Sequence, residues 1–493
     1  MPFRRSWPEL AALLAVVAGA IALRFIDLAT NPGGLYTDEA TEAVSALRIL
    51  HDPGYRPIFI PEGGGREALF AYLVAGAFAV FGETTLVLRA TAASIGVAGV
   101  VATWWLGRRF GTTVALVAAG WAAGSLWLVC VSRDGMRNIL VPLAEALAIG
   151  CLLAWEARPG RASALVAGAV TALATLYIYQ PLKLLPLLVL AWLAWLRWTD
   201  AAAWRRLRPG LVPAAAAFLL VAAPMLAVAV TDPGAYFGRA IGVSVLNPGQ
   251  GVNLVDHVLR TLGMFAFTGD PNPRHDVNAL PMLGWPVALV GLAGLVRIWR
   301  LRTDPAHALV GLAVPVFLLP PLLSVEGAAP HFLRALGLAV PVAIAVGLGV
   351  AELTGLVRTR LGATAGAGVA VAAALGLVAL ATGTGAAYLA RPVADRYDAY
   401  RYDLVALADA ARGSDNAVIL DDYSASVVRF LDAGALPAIV APDARLADPS
   451  RYRRVLSPST DWLAGAVGAD AAATASVVAR DPGGQPVAWS WSP

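Results

Sequence analysis

The chain has 493 residues, of which 58% are hydrophobic and 14% charged, with a net charge of +4 and two cysteines. That balance lies far from soluble globular proteins and makes a bilayer the solvent for most of the chain. The basic residues form short clusters between apolar runs instead of one stripe, which argues against a nucleic-acid partner; Cys130 and Cys151 both fall inside apolar segments, so neither a disulfide framework nor a metal knuckle follows.

The first apolar run, Leu10 to Leu23, follows Arg4 and Arg5, and Arg24, Phe25 and Asp27 stand where a signal peptide would carry small residues, so the run is expected to remain as a first helix. Crossing a hydrocarbon layer of roughly 30 Å takes about 20 apolar residues at about 1.5 Å each. By that ruler the chain offers about eleven spans, near 9–28, 88–106, 113–131, 138–156, 163–180, 182–198, 211–230, 282–299, 307–324, 333–354 and 363–388. Lys and Arg gather at 4–5, 108–109, 158–161, 197–208, 297–302 and 358–360, in every second connection, which puts these on the cytoplasmic side of a plasma or inner membrane together with the N-terminus. The C-terminal segment is then extracytoplasmic. The stretch Ala68–Phe81 makes only about 21 Å of helix, too short to cross. Counting it as a span would also put Arg108 and Arg109 outside, so it is expected to lie at the outer interface. Arg24 reads as the one charge well inside a span, near enough to the outer end to snorkel.

The outward connections are then 29–87, SRDGMR (132–137), YQPLK (179–183), 231–281 and EGAAPHFLR (326–334), and they hold nearly all the charge that topology does not explain. Charged groups near a bilayer are costly and mark substrate paths, and five loops converging on one face describe a catalytic or binding mouth better than a pore. The first loop carries NPGGLYTDEATEAVSALRIL (31–50), a Gly-Gly turn and then a helix opening at Thr37. Asp38 and Glu39 sit where free N–H groups and the helix dipole favour ionised carboxylates. They either cap the helix or hold a proton-accepting carboxylate beside an acceptor hydroxyl. Beyond Tyr388 the pattern changes. RPVADRYDAYRYDLVALADAAR (391–412) reads as a polar helix, AVILDD (417–422), PAIVAP (437–442) and ASVVAR (475–480) as strands, and SASVVRFLDAG (424–434) as a helix. This gives two domains, a transmembrane domain over 1–388 and a small extracytoplasmic α/β domain over 389–493 without a Gly-rich phosphate loop. Asp421 and Asp422 read as solvated loop residues.

Taken together these strings resemble the GT-C class of membrane glycosyltransferases, in the branch of the protein O-mannosyltransferases and aminoarabinose lipid A transferases, over residues 8 to 355. The Asp38–Glu39 pair resembles the branch's catalytic motif, and GGGREALFAYLVAGAFAVFG (63–82) its juxtamembrane helix. FGTTVALVAAGWAAGSLWLVCVSRDGMR (110–137), LYIYQPLKLLP (176–186), GDPNPRHDVNALPML (269–283) and APHFLRALGLAVP (329–341) resemble segments of its bacterial members. The resemblance implies a polytopic all-α fold with juxtamembrane helices in the first outer loop. It also implies a sugar donor on a polyprenyl phosphate entering from the bilayer, a lipid, glycan or protein acceptor, and inverting transfer with Asp38 as base and Glu39 beside it.

A leaving phosphate needs preplaced donors, for which the candidates are Arg66, Arg133, Arg137, Lys183 and Arg334. Tyr36, Glu67, Tyr179, Arg274, His275 and His331 are candidates for substrate binding. Each has a plainer alternative. Arg133 and Arg137, with Asp134 between them, could form a local salt-bridged turn. Lys183 and Arg334 could be interfacial anchors, and where relatives often carry an arginine Lys183 offers a point charge only. Glu62, Glu67 and His275 could hold a divalent metal but lack a local ligand spacing, so no cofactor is assigned, and Asp270 suits an Asx turn. The rival functions are a lipid-linked sugar flippase, which should show repeats or broken helices with mid-membrane polar groups, a surface-polysaccharide polymerase or ligase, and a membrane scaffold.

Overall fold

The computed structural model describes residues 7–245, 247, 253–325, 327, 329–432, 434, 436–481 and 483–493. Arg4 and Arg5, and Glu326 and Ala328 of the connection at 326–334, lie outside the described residues. The helices begin with α1 (Trp7–Phe25), α2 (Thr37–His51), α3 (Leu69–Phe81), α4 (Thr85–Gly107), α5 (Thr112–Gly124), α6 (Leu126–Arg133) and α7 (Leu140–Ala157). They continue with α8 (Arg161–Leu176), α9 (Leu185–Thr199), α10 (Ala201–Leu207), α11 (Leu211–Thr231), α12 (Pro233–Gly242), α13 (Leu254–Gly263) and α14 (Gly284–Arg300). The last are α15 (Pro305–Leu323), α16 (Ala339–Leu361), α17 (Ala363–Leu389), α18 (Tyr402–Ala411), α19 (Ala425–Leu431), α20 (Thr460–Val467) and α21 (Ala469–Ala473). The strands are β1 (Phe59–Ile60), β2 (Arg66–Glu67), β3 (Asn416–Ile419), β4 (Ala438–Val440), β5 (Arg454–Ser457), β6 (Ser476–Arg480) and β7 (Pro486–Trp491).

Every expected span falls on a helix of a polytopic all-α membrane fold. Among the described residues eight helices are long and apolar enough to cross, and the bent pair α5–α6 makes a ninth. The remaining two are shorter than expected. α8 has 16 residues because the chain turns at Tyr177 ahead of Pro181, and α14 has 17 because it starts only at Gly284, after Pro281.

The chain divides into two compact units. The first holds the chain up to Ile26, Pro57–Phe70 and Ala92–Ala390; the second holds Asp27–Arg56, Ala71–Thr91 and Arg391–Pro493.

In the first unit α16 is central, with Ala339 through Val350 all buried and α5, α14 and α17 packed around it. Large apolar side chains such as Leu219, Leu220, Val230, Val371 and Leu375 stay exposed on α11 and α17, as lipid-facing surface does. Exposed Trp7, Trp198 and Trp299 stand at one set of helix ends, where indoles anchor a membrane interface. Charge collects at the same ends. Arg108 meets Glu9 at 2.9 Å, Arg109 and Arg206 each meet Glu156 at 3.5 Å, and Arg297 meets Glu352 at 2.7 Å. The Glu9–Arg108 contact puts the start of α1 and the end of α4 on one side of the bundle. A third crossing by α3 would have separated them, so α3 does not span.

Two expectations about intramembrane charge are corrected. The span at 113–131 is broken, with α5 and α6 meeting at 57° across Ser125. A break frees the last carbonyls of the first helix. Arg24 supplies their donors, to Ala123 O at 2.9 Å and Ala122 O at 3.1 Å, while Thr384 Oγ1 donates to Gly124 O at 2.6 Å. Arg24 is therefore buried and bonded, also to Ser132 Oγ at 3.0 Å, and does not snorkel. Nor is it alone inside the spans, since Glu145 is buried midway along α7.

In the second unit a five-stranded sheet runs in the order β4-β3-β5-β7-β6, with β3 parallel to β4 and β5, and β7 antiparallel to β5 and β6. Strands β5 and β7 were not expected; they carry Arg, Ser and Trp in place of a continuous aliphatic run. The polar helix expected over 391–412 is also broken, because Arg401 takes a left-handed φ of 52° and α18 starts only at Tyr402. The turn ahead of α18 clasps the Gly-Gly loop. Gly34, at φ +80°, lies so close to Tyr400 O that a Cβ would come within 2.5 Å of it, which is why a glycine stands there. Arg396, fully buried, donates to Asn31 Oδ1 at 2.8 Å.

Candidate catalytic and donor-binding residues

The second unit contains the start of α2. Glu39 has no exposure, and its carboxylate accepts from Tyr36 N at 3.2 Å, closing the first helical turn. Both of its oxygens also accept from Arg89, from Nε and one Nη at 2.9 Å each. Arg89 in turn reaches Pro32 O at 2.7 Å and Gly34 O at 2.9 Å, so one buried guanidinium ties the Gly-Gly turn to the helix that follows it. This geometry makes Glu39 a brace. Its neighbour Asp38 is half-buried, and its Oδ1 accepts from the Tyr423 hydroxyl at 2.7 Å. The Tyr423 and Tyr36 hydroxyls lie 3.4 Å apart. Burial and the adjacent Asp38 charge push the Tyr423 phenol far above the ordinary tyrosine value, so it stays a donor.

The first unit gathers a separate cationic cluster. Strand β2 pairs antiparallel with β1 across a turn whose three glycines, Gly63, Gly64 and Gly65, all have positive φ. Gly65 has no room for a Cβ, which would meet Ala235 O at 2.4 Å. Glu67, buried on β2, lies 3.4 Å from Arg137 Nε and 3.3 Å from Lys183 Nζ. Arg137 stands over the Tyr179 ring at 5.4 Å and Lys183 over the Tyr236 ring at 4.4 Å. Burial, the Glu67 charge and Tyr177 push the Tyr236 phenol up to about 12. One carboxylate thus holds two cations from two separate connections, leaving a net positive charge edged by aromatic rings. Arg66 turns back to Glu62 O at 2.8 Å. Arg133 is not brought to this cluster. It is fully buried, donates to Leu23 O at 2.9 Å and Ile26 O at 2.8 Å, and covers the Tyr388 ring, which ties down the end of α1.

A third group lies in the same unit. Asp270, His275 and His331 place ligand-type atoms within 4.8 Å of one another. Asp270 Oδ1 accepts from Asn272 N at 2.8 Å, the Asx turn that its neighbours suggested. Its Oδ2 accepts from Phe332 N at 2.7 Å and meets His275 Nδ1 at 2.9 Å. Burial outweighs the pull of Asp270 and lowers the basicity of His275; burial, with the charges of His275 and Arg334, takes His331 down to about 3. Both imidazoles are therefore neutral near pH 7, with His275 Nε2 and His331 Nδ1 buried and unpartnered. Asp276, beside them, is pushed up to about 8 by burial and by Asp270. Arg274 N donates to Asn272 Oδ1 at 3.1 Å, and Arg334 donates to Ser324 O at 3.1 Å. A metal set of Glu62, Glu67 and His275 is not what the structure assembles. Among the described residues, the donor atoms close enough together to hold a divalent cation are those of Asp270, His275 and His331.

Sequence reasoning missed Arg89, Tyr236 and Tyr423. An arginine at the start of an apolar span was a usable signal for Arg89. The two tyrosines carried none, because each reaches its partner only through tertiary packing.

No protein-family model matches the chain, and no curated protein does. Solved structures do. ArnT from Cupriavidus metallidurans, in a structure bound to undecaprenyl phosphate and in one of the apo state, superposes with a TM-score of 0.62 in each case. The identity is 15%, and the match covers 97% of this chain and 97% of ArnT in both. The fold is thus the ArnT-like GT-C fold, including the C-terminal sheet region.

Proposed function

We propose that the chain is a membrane glycosyltransferase that moves a sugar from a polyprenyl-phosphate donor to an acceptor on the outer face of the membrane. The observation that carries this reading is the fold, shared end to end with ArnT, one of whose structures holds undecaprenyl phosphate. In the proposed step the acceptor O–H gives its proton to Asp38 while its oxygen attacks the anomeric carbon. The bond from that carbon to the phosphate oxygen breaks, its electron pair stays on the lipid phosphate, and the configuration inverts. Arg137 as a fork donor and Lys183 as a point charge stabilise the departing phosphate. Arg89 and Glu39 hold the helix start that presents Asp38. A divalent cation, where one is bound, would be held by Asp270, His275 and His331 and would supply added positive charge; no step above depends on it. The C-terminal segment is placed outside the cytoplasm with the outer loops.

The test is transfer of radiolabel from a mixed pool of undecaprenyl-phosphate sugars to membrane and protein acceptors, by the native chain and by Asp38→Asn. This substitution keeps size and removes the base. Transfer that collapses in the variant at equal folded yield supports the reading. Equal transfer by both removes Asp38 from the mechanism, and movement of lipid-linked sugar between leaflets without transfer favours a flippase.

A further inference from the structure

The C-terminal segment reaches the reacting carboxylate. Asp38 accepts from one side-chain donor among the described residues, and that donor, Tyr423, lies 385 positions along the chain. The backbone turn that carries this partly exposed phenol is held from behind. Asp421 Oδ1 accepts from Ser424 N at 2.9 Å and closes the turn that carries Tyr423, and Ser426 Oγ donates to Tyr423 O at 2.7 Å. Helix α19, which begins two residues later, packs on α2; Ser426 Oγ lies 3.3 Å from Thr37 O, and Phe430 stacks on Phe78 with centroids 5.8 Å apart. The segments that carry the donor and the carboxylate therefore belong to one packed body.

A carboxylate at the first turn of a helix can rotate about two side-chain bonds, and a base must offer one oxygen to the incoming hydroxyl at hydrogen-bond distance. A donor fixed on Oδ1 removes that freedom and leaves Oδ2 for the acceptor. We infer that Tyr423 is a positioning residue for Asp38, so that the C-terminal segment completes the catalytic constellation. The inference rests on the reading of Asp38 as base. It assigns to the C-terminal segment a task that a mere cap over the membrane domain would not have: loss of one hydroxyl should slow turnover without weakening donor binding.

The experiment uses the full-length chain in nanodiscs and the undecaprenyl-phosphate sugar pool, comparing native protein, Asp38→Asn, Tyr423→Phe and Phe430→Leu. Tyr423→Phe keeps the ring and removes the donor. It is expected to lower kcat about tenfold, with the donor KM and the melting temperature close to native. Phe430→Leu thins the packing of α19 without touching the phenol, and is expected to lower the melting temperature while kcat stays within about twofold. A native kcat in Tyr423→Phe overturns the inference, as does a KM rise that accounts for its whole loss. An equal loss of kcat in Phe430→Leu also overturns it, by showing that docking of α19 matters and the hydroxyl does not. Failure of the underlying reading looks different: Asp38→Asn then keeps native activity, or the native chain transfers nothing.

Discussion

Replacing Arg89 by methionine should release the start of α2. The Arg89 guanidinium makes two hydrogen bonds to Glu39 and one each to the carbonyls of Pro32 and Gly34, between 2.7 and 2.9 Å, with 1% of the side chain exposed. Methionine keeps much of the apolar stem and removes every donor. Glu39, with no exposure, then remains as a buried charge without its cation. Removing one partner of such a pair costs about 3–5 kcal/mol, whereas neutralising both is often close to neutral. Arg89→Met should therefore cost about that much locally, and adding Glu39→Gln should recover most of it. The assay is native-state hydrogen exchange on peptides covering 31–40. Opening made easier by about 3 kcal/mol or more speeds exchange by on the order of a hundredfold. Unchanged exchange in Arg89→Met refutes the reasoning. So does a double variant that exchanges faster than the single one, because the cost would then not come from an orphaned carboxylate.

Lys183→Met removes one of the two cations that Glu67 holds, and should raise the donor KM about tenfold with little change in kcat. Arg133→Met should instead lower folded yield and leave the donor KM of the folded fraction alone, since Arg133 ties down the end of α1; a KM rise there would return it to the phosphate site. After dialysis against zinc, elemental analysis should find one ion per native chain and almost none after His275→Ala with His331→Ala; equal content would make Asp270, His275 and His331 a hydrogen-bonded brace. Burial pushes Asp421 up, but the hydrogen bonds from Ser424 and from the Tyr423 backbone, with the Arg401 charge, hold its carboxyl below the usual value. A depressed folded value adds stability that is present above about pH 4 and lost as pH falls further. Protection of the 421–426 amides, taken relative to their intrinsic exchange rates at each pH, should therefore fall below about pH 4, and Asp421→Asn should flatten that dependence.

The positions of the apolar helices were legible along the chain because a bilayer imposes a narrow range of length and composition on every crossing element. That constraint is local, so it needs no knowledge of neighbours. Which connections share a side was legible from charge, and the Glu9–Arg108 pair agrees with the decision that 68–81 does not cross. Asp38 and Glu39 were visible because a Gly-Gly turn and an acidic first turn are neighbours in sequence. Their separate tasks were not visible. Both stand at the same helix start, and only the fold sends one to a buried arginine from α4 and the other to a tyrosine from the C-terminal segment. The same limit applies to Arg24 and Arg133, which look like free charges in the string and are donors to carbonyls in the packed bundle. It applies to His275 and His331 as well, 56 positions apart in sequence and with ring centroids 5.0 Å apart in space. Composition and period determine which segments leave water, because solvent acts on each segment alone. Which polar groups those segments bring together depends on directional contacts between distant residues, and only the tertiary structure decides that.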